Sequence, residues 1–103
     1  MGCFLLERQG AKVKVRVGGE LSADTAPELR ELLFAVMEDG VTDLTLDLSG
    51  TALLDATGVA LLLAAANSYR GGDRCFALVA LPPAIVALLE TLRISQRLGA
   101  RIG

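Results

Sequence analysis

Leu44-Thr45-Leu46-Asp47-Leu48-Ser49 and, after residues 50–53, Leu54-Asp55-Ala56-Thr57-Gly58-Val59 running into Ala60-Leu61-Leu62-Leu63-Ala64-Ala65-Ala66 are the stretch that decides the fold. In the first piece Leu44, Leu46 and Leu48 alternate with Thr45 and Asp47, a period of two that predicts a strand with one face against a core. Ser49-Gly50 breaks it. Ala52–Leu54 is a short connecting stretch, and a helix is predicted from Gly58 to Arg70, stopped by Gly71-Gly72. A strand followed by a helix is the first half of a crossover connection, which a further parallel strand completes.

Upstream, Phe4–Arg8 reads as a strand and Gln9-Gly10 as a turn. Ala11–Val17 is a second strand, with Val13, Val15 and Val17 on one face and Lys12, Lys14 and Arg16 on a solvated one. Gly18-Gly19 is expected to end it. Thr25 then stands at an N-cap with Glu28 completing a capping box, and Pro27 fits the first helical turn. Leu29, Leu32, Leu33, Val36 and Met37 form an apolar stripe up to the stop at Asp39-Gly40. Downstream, Cys75–Leu81 is apolar enough for an inner strand covered on both faces. Pro82-Pro83 opens a further helix with the stripe Ile85, Leu88, Leu89 and Leu92, and Ser95–Leu98 adds a last turn. The order β-β-α-β-α-β-α over residues 1–103 predicts one α/β domain with a partly parallel sheet.

Composition removes several function classes. The chain has no histidine, which removes the commonest general base and metal ligand, and Cys3 and Cys75 are too far apart for a CxxC pair, so no metal site is expected. Cys75, inside an apolar run, is expected to be a buried free thiol. The net charge is -2 and the ten Lys and Arg are scattered, which argues against nucleic acid as a partner. No stretch reads GxxxxGK[ST], and Gly18-Gly19 and Gly71-Gly72 read as turns, so no cofactor is expected and the chain is not expected to be an enzyme. The start lacks a signal-peptide pattern, Leu6 stands where N-myristoylation wants Ser or Thr, and Val59–Ala66 falls far short of the ~20 residues of a spanning helix. Direct membrane insertion is therefore not expected, and the reading is of a cytoplasmic, reduced protein.

The second helix carries the functional signal. Val59–Ala66 is apolar all round, and a domain this small has little protein with which to enclose such a helix, so part of it is expected to meet a protein partner. The competing reading is that Ala60, Ala64 and the other alanines form an outer face that is cheap to expose. Thr57 is the expected N-cap of this helix. The same place, with free N–H groups and a positive dipole end, accommodates a phosphate, and Asp55 lies close by.

Four segments together resemble the STAS domain, the family of bacterial anti-sigma factor antagonists: the strand ending Gly19-Glu20-Leu21, Asp24-Thr25-Ala26-Pro27-Glu28-Leu29, Leu44–Ser49, and Leu54-Asp55-Ala56-Thr57-Gly58-Val59. The resemblance implies a mixed sheet of about four to five strands with about three to four helices packed mainly on one side. It implies docking to an anti-sigma factor that is a serine/threonine protein kinase, through a surface carried over as Ser22, Asp24, Asp55, Ala56, Thr57, Gly58, Val59 and Leu62. It also implies phosphorylation of Thr57 by that kinase and reversal by a phosphatase. Here Ser22 stands where the family often has Asp, Ala56 replaces a first hydroxyl residue, and Thr57 replaces the commoner Ser. The same resemblance admits an unmodified structural subunit of a stress-signalling scaffold or of a lipid-transport ABC complex. The apolar helix suits self-pairing into a homo-oligomer as well as a heterologous partner.

Overall fold

The computed structural model describes residues 3–69, 74–91 and 101–102. Its elements are β1 (Cys3–Gln9), β2 (Lys12–Leu21), α1 (Ala26–Glu38), β3 (Asp43–Asp47), β4 (Thr51–Leu54), α2 (Ala56–Ser68), β5 (Cys75–Val79), α3 (Pro83–Thr91) and β6 (Arg101–Ile102). The expected turn at Ser95–Leu98, Leu92, and the helix stop at Arg70–Gly72 lie outside the described residues.

The sheet order is β1-β2-β3-β5-β6, with β4 also paired to β2. The β1–β2 hairpin is antiparallel and every other pairing is parallel. Register follows the alternation. Val13 lies beside Leu44 and Val15 beside Leu46, which in turn sit beside Phe76 and Leu78, so one face of the sheet is a continuous apolar surface. Leu29, Leu33 and Val36 of α1, Val59, Leu62, Ala65 and Ala66 of α2, and Ile85 and Leu89 of α3 join the same buried cluster. The partly parallel sheet is the one expected from the alternation of strands and helices, and the mixed sheet with its helices on one side is the one the resemblance implies.

Three local expectations are corrected. Gly18-Gly19 does not end β2. The strand continues to Leu21, and at Gly19, whose φ of 77° is open to glycine, its register shifts and its partner changes from β3 to β4. Burial alternates along β5 instead of covering both faces. Cys75, its first residue, is exposed, because Phe76 and Leu78 take the core positions and parity turns Cys75 outward. Thr25 does not cap α1 with its side chain, because its hydroxyl is engaged by Ser22 and Glu20.

The opposite sheet face is not simply solvated. Asp47, 5% exposed, is flanked by Lys14 Nζ at 3.7 Å and Arg16 Nε at 3.6 Å, and its Oδ1 accepts the Ser49 N–H at 2.9 Å, turning the chain out of β3. The Ser49 hydrogen bonds, helped by the two cations, hold the Asp47 carboxyl below its ordinary value of 3.8. A carboxyl depressed in the folded state adds stability that is complete above that value and drains away as pH falls through and below it. Asp47→Asn should therefore lower stability by about 1 kcal/mol at about pH 7, with the gap to wild type closing at about pH 3. Urea unfolding at the two pH values measures this.

Candidate functional site

The C-terminal ends of β2 and β4 and the first turns of α1 and α2 meet at one end of the sheet, where open α/β sheets place their binding sites. Leu21 pairs with Leu54, and the Asp55 N–H donates to the Leu21 carbonyl at 3.2 Å. Asp55 is the N-cap of α2, with extended backbone. Its Oδ1 accepts from Gly58 N at 2.9 Å and its Oδ2 from Ala23 N at 3.2 Å. One carboxylate thus caps α2 and fastens the β2–α1 loop to it. Asp55 takes the place expected of Thr57 because its carboxylate satisfies both N–H groups, and α2 begins at Ala56 instead of Gly58.

The β2–α1 loop is tight in its own right. Thr25 Oγ1 accepts from Ser22 N at 3.0 Å and donates to the Glu20 carbonyl at 2.7 Å, so its hydroxyl is committed backwards and no capping box forms. The Ser22 carbonyl accepts from Thr25 N and Ala26 N, at 3.1 and 2.7 Å.

Gly58 explains why the start of α2 lies so close to the sheet. A Cβ built there would stand 2.5 Å from the Leu21 carbonyl oxygen and 2.7 Å from Leu54 Cδ1. Only glycine lets the helix seat on the end of β2. Thr57, the preceding residue, is exposed in the first turn of α2, and among the described residues its hydroxyl has no hydrogen-bond partner.

Of the expected partner-facing residues, Asp24, Ala56 and Thr57 are exposed and Asp55 is half-buried. Ser22 (8% exposed), Gly58, Val59 (7%) and Leu62 (0%) are buried, the last two inside the core. Their side chains are not surface, and that part of the expected contact set is corrected. Helical spacing sends Val59, Leu62, Ala65 and Ala66 to the sheet and leaves Ala56, Thr57, Ala60 and Ala64 outside. The helix is thus neither sealed nor greasy all round: its outer face is alanine, as in the competing reading.

Sequence reasoning missed the contribution of α1. A groove of ≈ 500 Å³ runs between α1 and α2, with Arg30 and Phe34 on one wall and Thr57, Ala60 and Leu61 on the other. Phe34 is 54% exposed. The available signal was an aromatic residue lying off the apolar stripe of its helix.

Among the described residues no group of three or more His, Cys, Asp or Glu side chains is arranged to hold a metal ion, and no helix is long and apolar enough to cross a membrane.

The family model described as "Mlab, STAS domain" matches residues 4–100, and the chain belongs to the STAS domain family. An anti-sigma-B factor antagonist of Staphylococcus aureus is 34% identical over 61 residues, which are 59% of this chain and 56% of that protein; the aligned stretch thus spans little more than half of the relative. The crystal structure of an anti-sigma factor antagonist from Mycobacterium paratuberculosis superposes with a TM-score of 0.85 at 26% identity, covering 99% of this chain and 85% of that one. The anti-sigma factor antagonist SpoIIAA in its unphosphorylated form has the same fold, with a TM-score of 0.76 at 19% identity over 98% of this chain and 87% of that one.

Gly58→Ala should destabilise the protein by about 1–3 kcal/mol through the clash with Leu21, although alanine is the better helix former by about 1 kcal/mol. Gly50→Ala, where a Cβ would come no closer than 3.4 Å to any neighbour, is the control. Thermal melting of the two variants provides the comparison.

Proposed function

We propose that this chain is an anti-sigma factor antagonist: it docks an anti-sigma factor that is also a serine/threonine kinase and is released when that kinase phosphorylates Thr57. The docking surface comprises Asp24, Ala56 and Thr57 with the adjoining α1–α2 groove. The observation that carries this reading is the place of Thr57, exposed on a helix start held by the Asp55 cap and the close seating of Gly58. A kinase needs an acceptor hydroxyl that its ATP site can approach, on a backbone that stays in register.

In the transfer, Thr57 Oγ1 bonds to the γ-phosphorus of ATP as the bond to the leaving ADP oxygen breaks, and its proton passes to a base of the kinase. The antagonist supplies only the hydroxyl and its position, which agrees with a chain that has no histidine. The product carries about -1.5 to -2 charges at the centre of the contact. Drying such a group against apolar partner atoms is strongly unfavourable, so the complex separates. A phosphatase resets it. The family's fold is found in both states, since the phosphorylated form of the Bacillus protein SpoIIAA superposes on this chain with a TM-score of 0.75.

A second reading has its own support. Ala56 stands where the family pattern has a first hydroxyl residue, and the matching family model is described by the name Mlab. It makes the chain a constitutive subunit of a larger assembly, a stress-signalling scaffold or a lipid-transport ABC complex, in which Thr57 is an unmodified contact.

Incubation with an anti-sigma kinase from the same genome and ATP, followed by mass spectrometry, should place one phosphate on Thr57 and none on Thr57→Ala. Thr57→Glu should weaken kinase binding by about tenfold or more, which is about 1.4 kcal/mol. An unlabelled Thr57 together with unchanged binding of Thr57→Glu overturns the switch and leaves the constitutive reading.

A further inference from the structure

Arg30 lies in the second turn of α1 and lines the α1–α2 groove together with Thr57. The groove's other lining residues are apolar or carry a hydroxyl, so Arg30 is its one charged group among the described residues. The guanidinium is exposed and makes no ion pair among the described residues. Its neighbours three and four positions away on the helix are Ala26, Pro27, Leu33 and Phe34, none of which can neutralise it. β2, β3, β4 and β5 are all parallel, so α1 and α2, which connect them, run in the same direction with their N-terminal ends side by side. Asp55, two residues before Thr57, is already committed to two backbone N–H groups.

We propose that Arg30 captures the phosphate of phosphorylated Thr57 and ties the N-terminal ends of α1 and α2 together across the groove. This rests on the reading of Thr57 as the acceptor. A planar guanidinium binds two phosphate oxygens at once, and the dipole at the start of α2 favours the same charge. The phosphate is drawn over Ala60 and Leu61 instead of projecting into solvent. The modification then acts twice: it adds charge at the contact, and it covers the apolar groove that a partner would use.

The test uses full-length protein with phosphothreonine installed at position 57 during translation, so that no kinase is needed. Phosphorus NMR follows the second ionisation of the phosphate with pH. Arg30→Gln should raise its midpoint by about half a pH unit relative to wild type, because the dianion loses its partner. Arg30→Lys should restore part of the shift. Arg8→Gln, at the opposite end of β2 where Arg8 pairs with Asp39, should leave the midpoint unchanged. Identical titrations of wild type and Arg30→Gln, or an equal shift in Arg8→Gln, overturn the proposal. Failure of a kinase to label Thr57 instead sinks the switch reading and leaves this titration readable.

Discussion

Asp55 joins two loops with one carboxylate. Through Oδ1 it caps α2, and through Oδ2 it holds the Ala23 N–H of the loop that leads into α1. An ordinary N-cap satisfies one orphan donor of its own helix; this one also fixes the spacing between two helix starts far apart in sequence. The Asp55 N–H to the Leu21 carbonyl and the close approach of Gly58 to the same carbonyl add a third element, the end of β2. The position of Thr57 follows from these constraints, because it lies between the capping residue Asp55 and Gly58, which is pressed against the sheet. The groove between the helices has a definite width for the same reason.

The large features were legible because they follow from periodicity. Val13, Val15 and Val17 against Lys12, Lys14 and Arg16, and Leu44 and Leu46 against Thr45, declare their faces by parity alone, and the stripe of α1 does so at helical spacing. What periodicity does not encode is which of two adjacent polar residues takes a hydrogen bond. Thr25 and Thr57 both stood at plausible caps. One hydroxyl is consumed by Glu20 and Ser22, and the other is displaced by the stronger acceptor two residues earlier. Both outcomes depend on neighbours that the fold supplies from elsewhere in the chain.

The glycines and α2 show the same limit. Gly18-Gly19 reads as a stop, but the chain uses Gly19 to shift register, so that one strand serves β3 first and β4 afterwards. Composition made α2 look adhesive all round because alanine counts as apolar. The structure turns Val59, Leu62, Ala65 and Ala66 inward and Ala56, Ala60 and Ala64 outward, and places the exposed aromatic surface on Phe34 of the neighbouring helix. Cys75 belongs to the same class of error: an apolar neighbourhood in sequence is not a buried one when strand parity points the other way.

The alanine face of α2 has an energetic consequence for any molecule that rests on it. Alanine has no rotamers to freeze, so contact with Ala56, Ala60 and Ala64 incurs almost no side-chain entropy loss, whereas a wall of lysine or methionine would lose much of its freedom. Each methyl group also removes little area from water, so the attraction per residue is small. Such a surface is quick to engage and easy to leave, and the balance between the two states lies within reach of a change at one neighbouring atom.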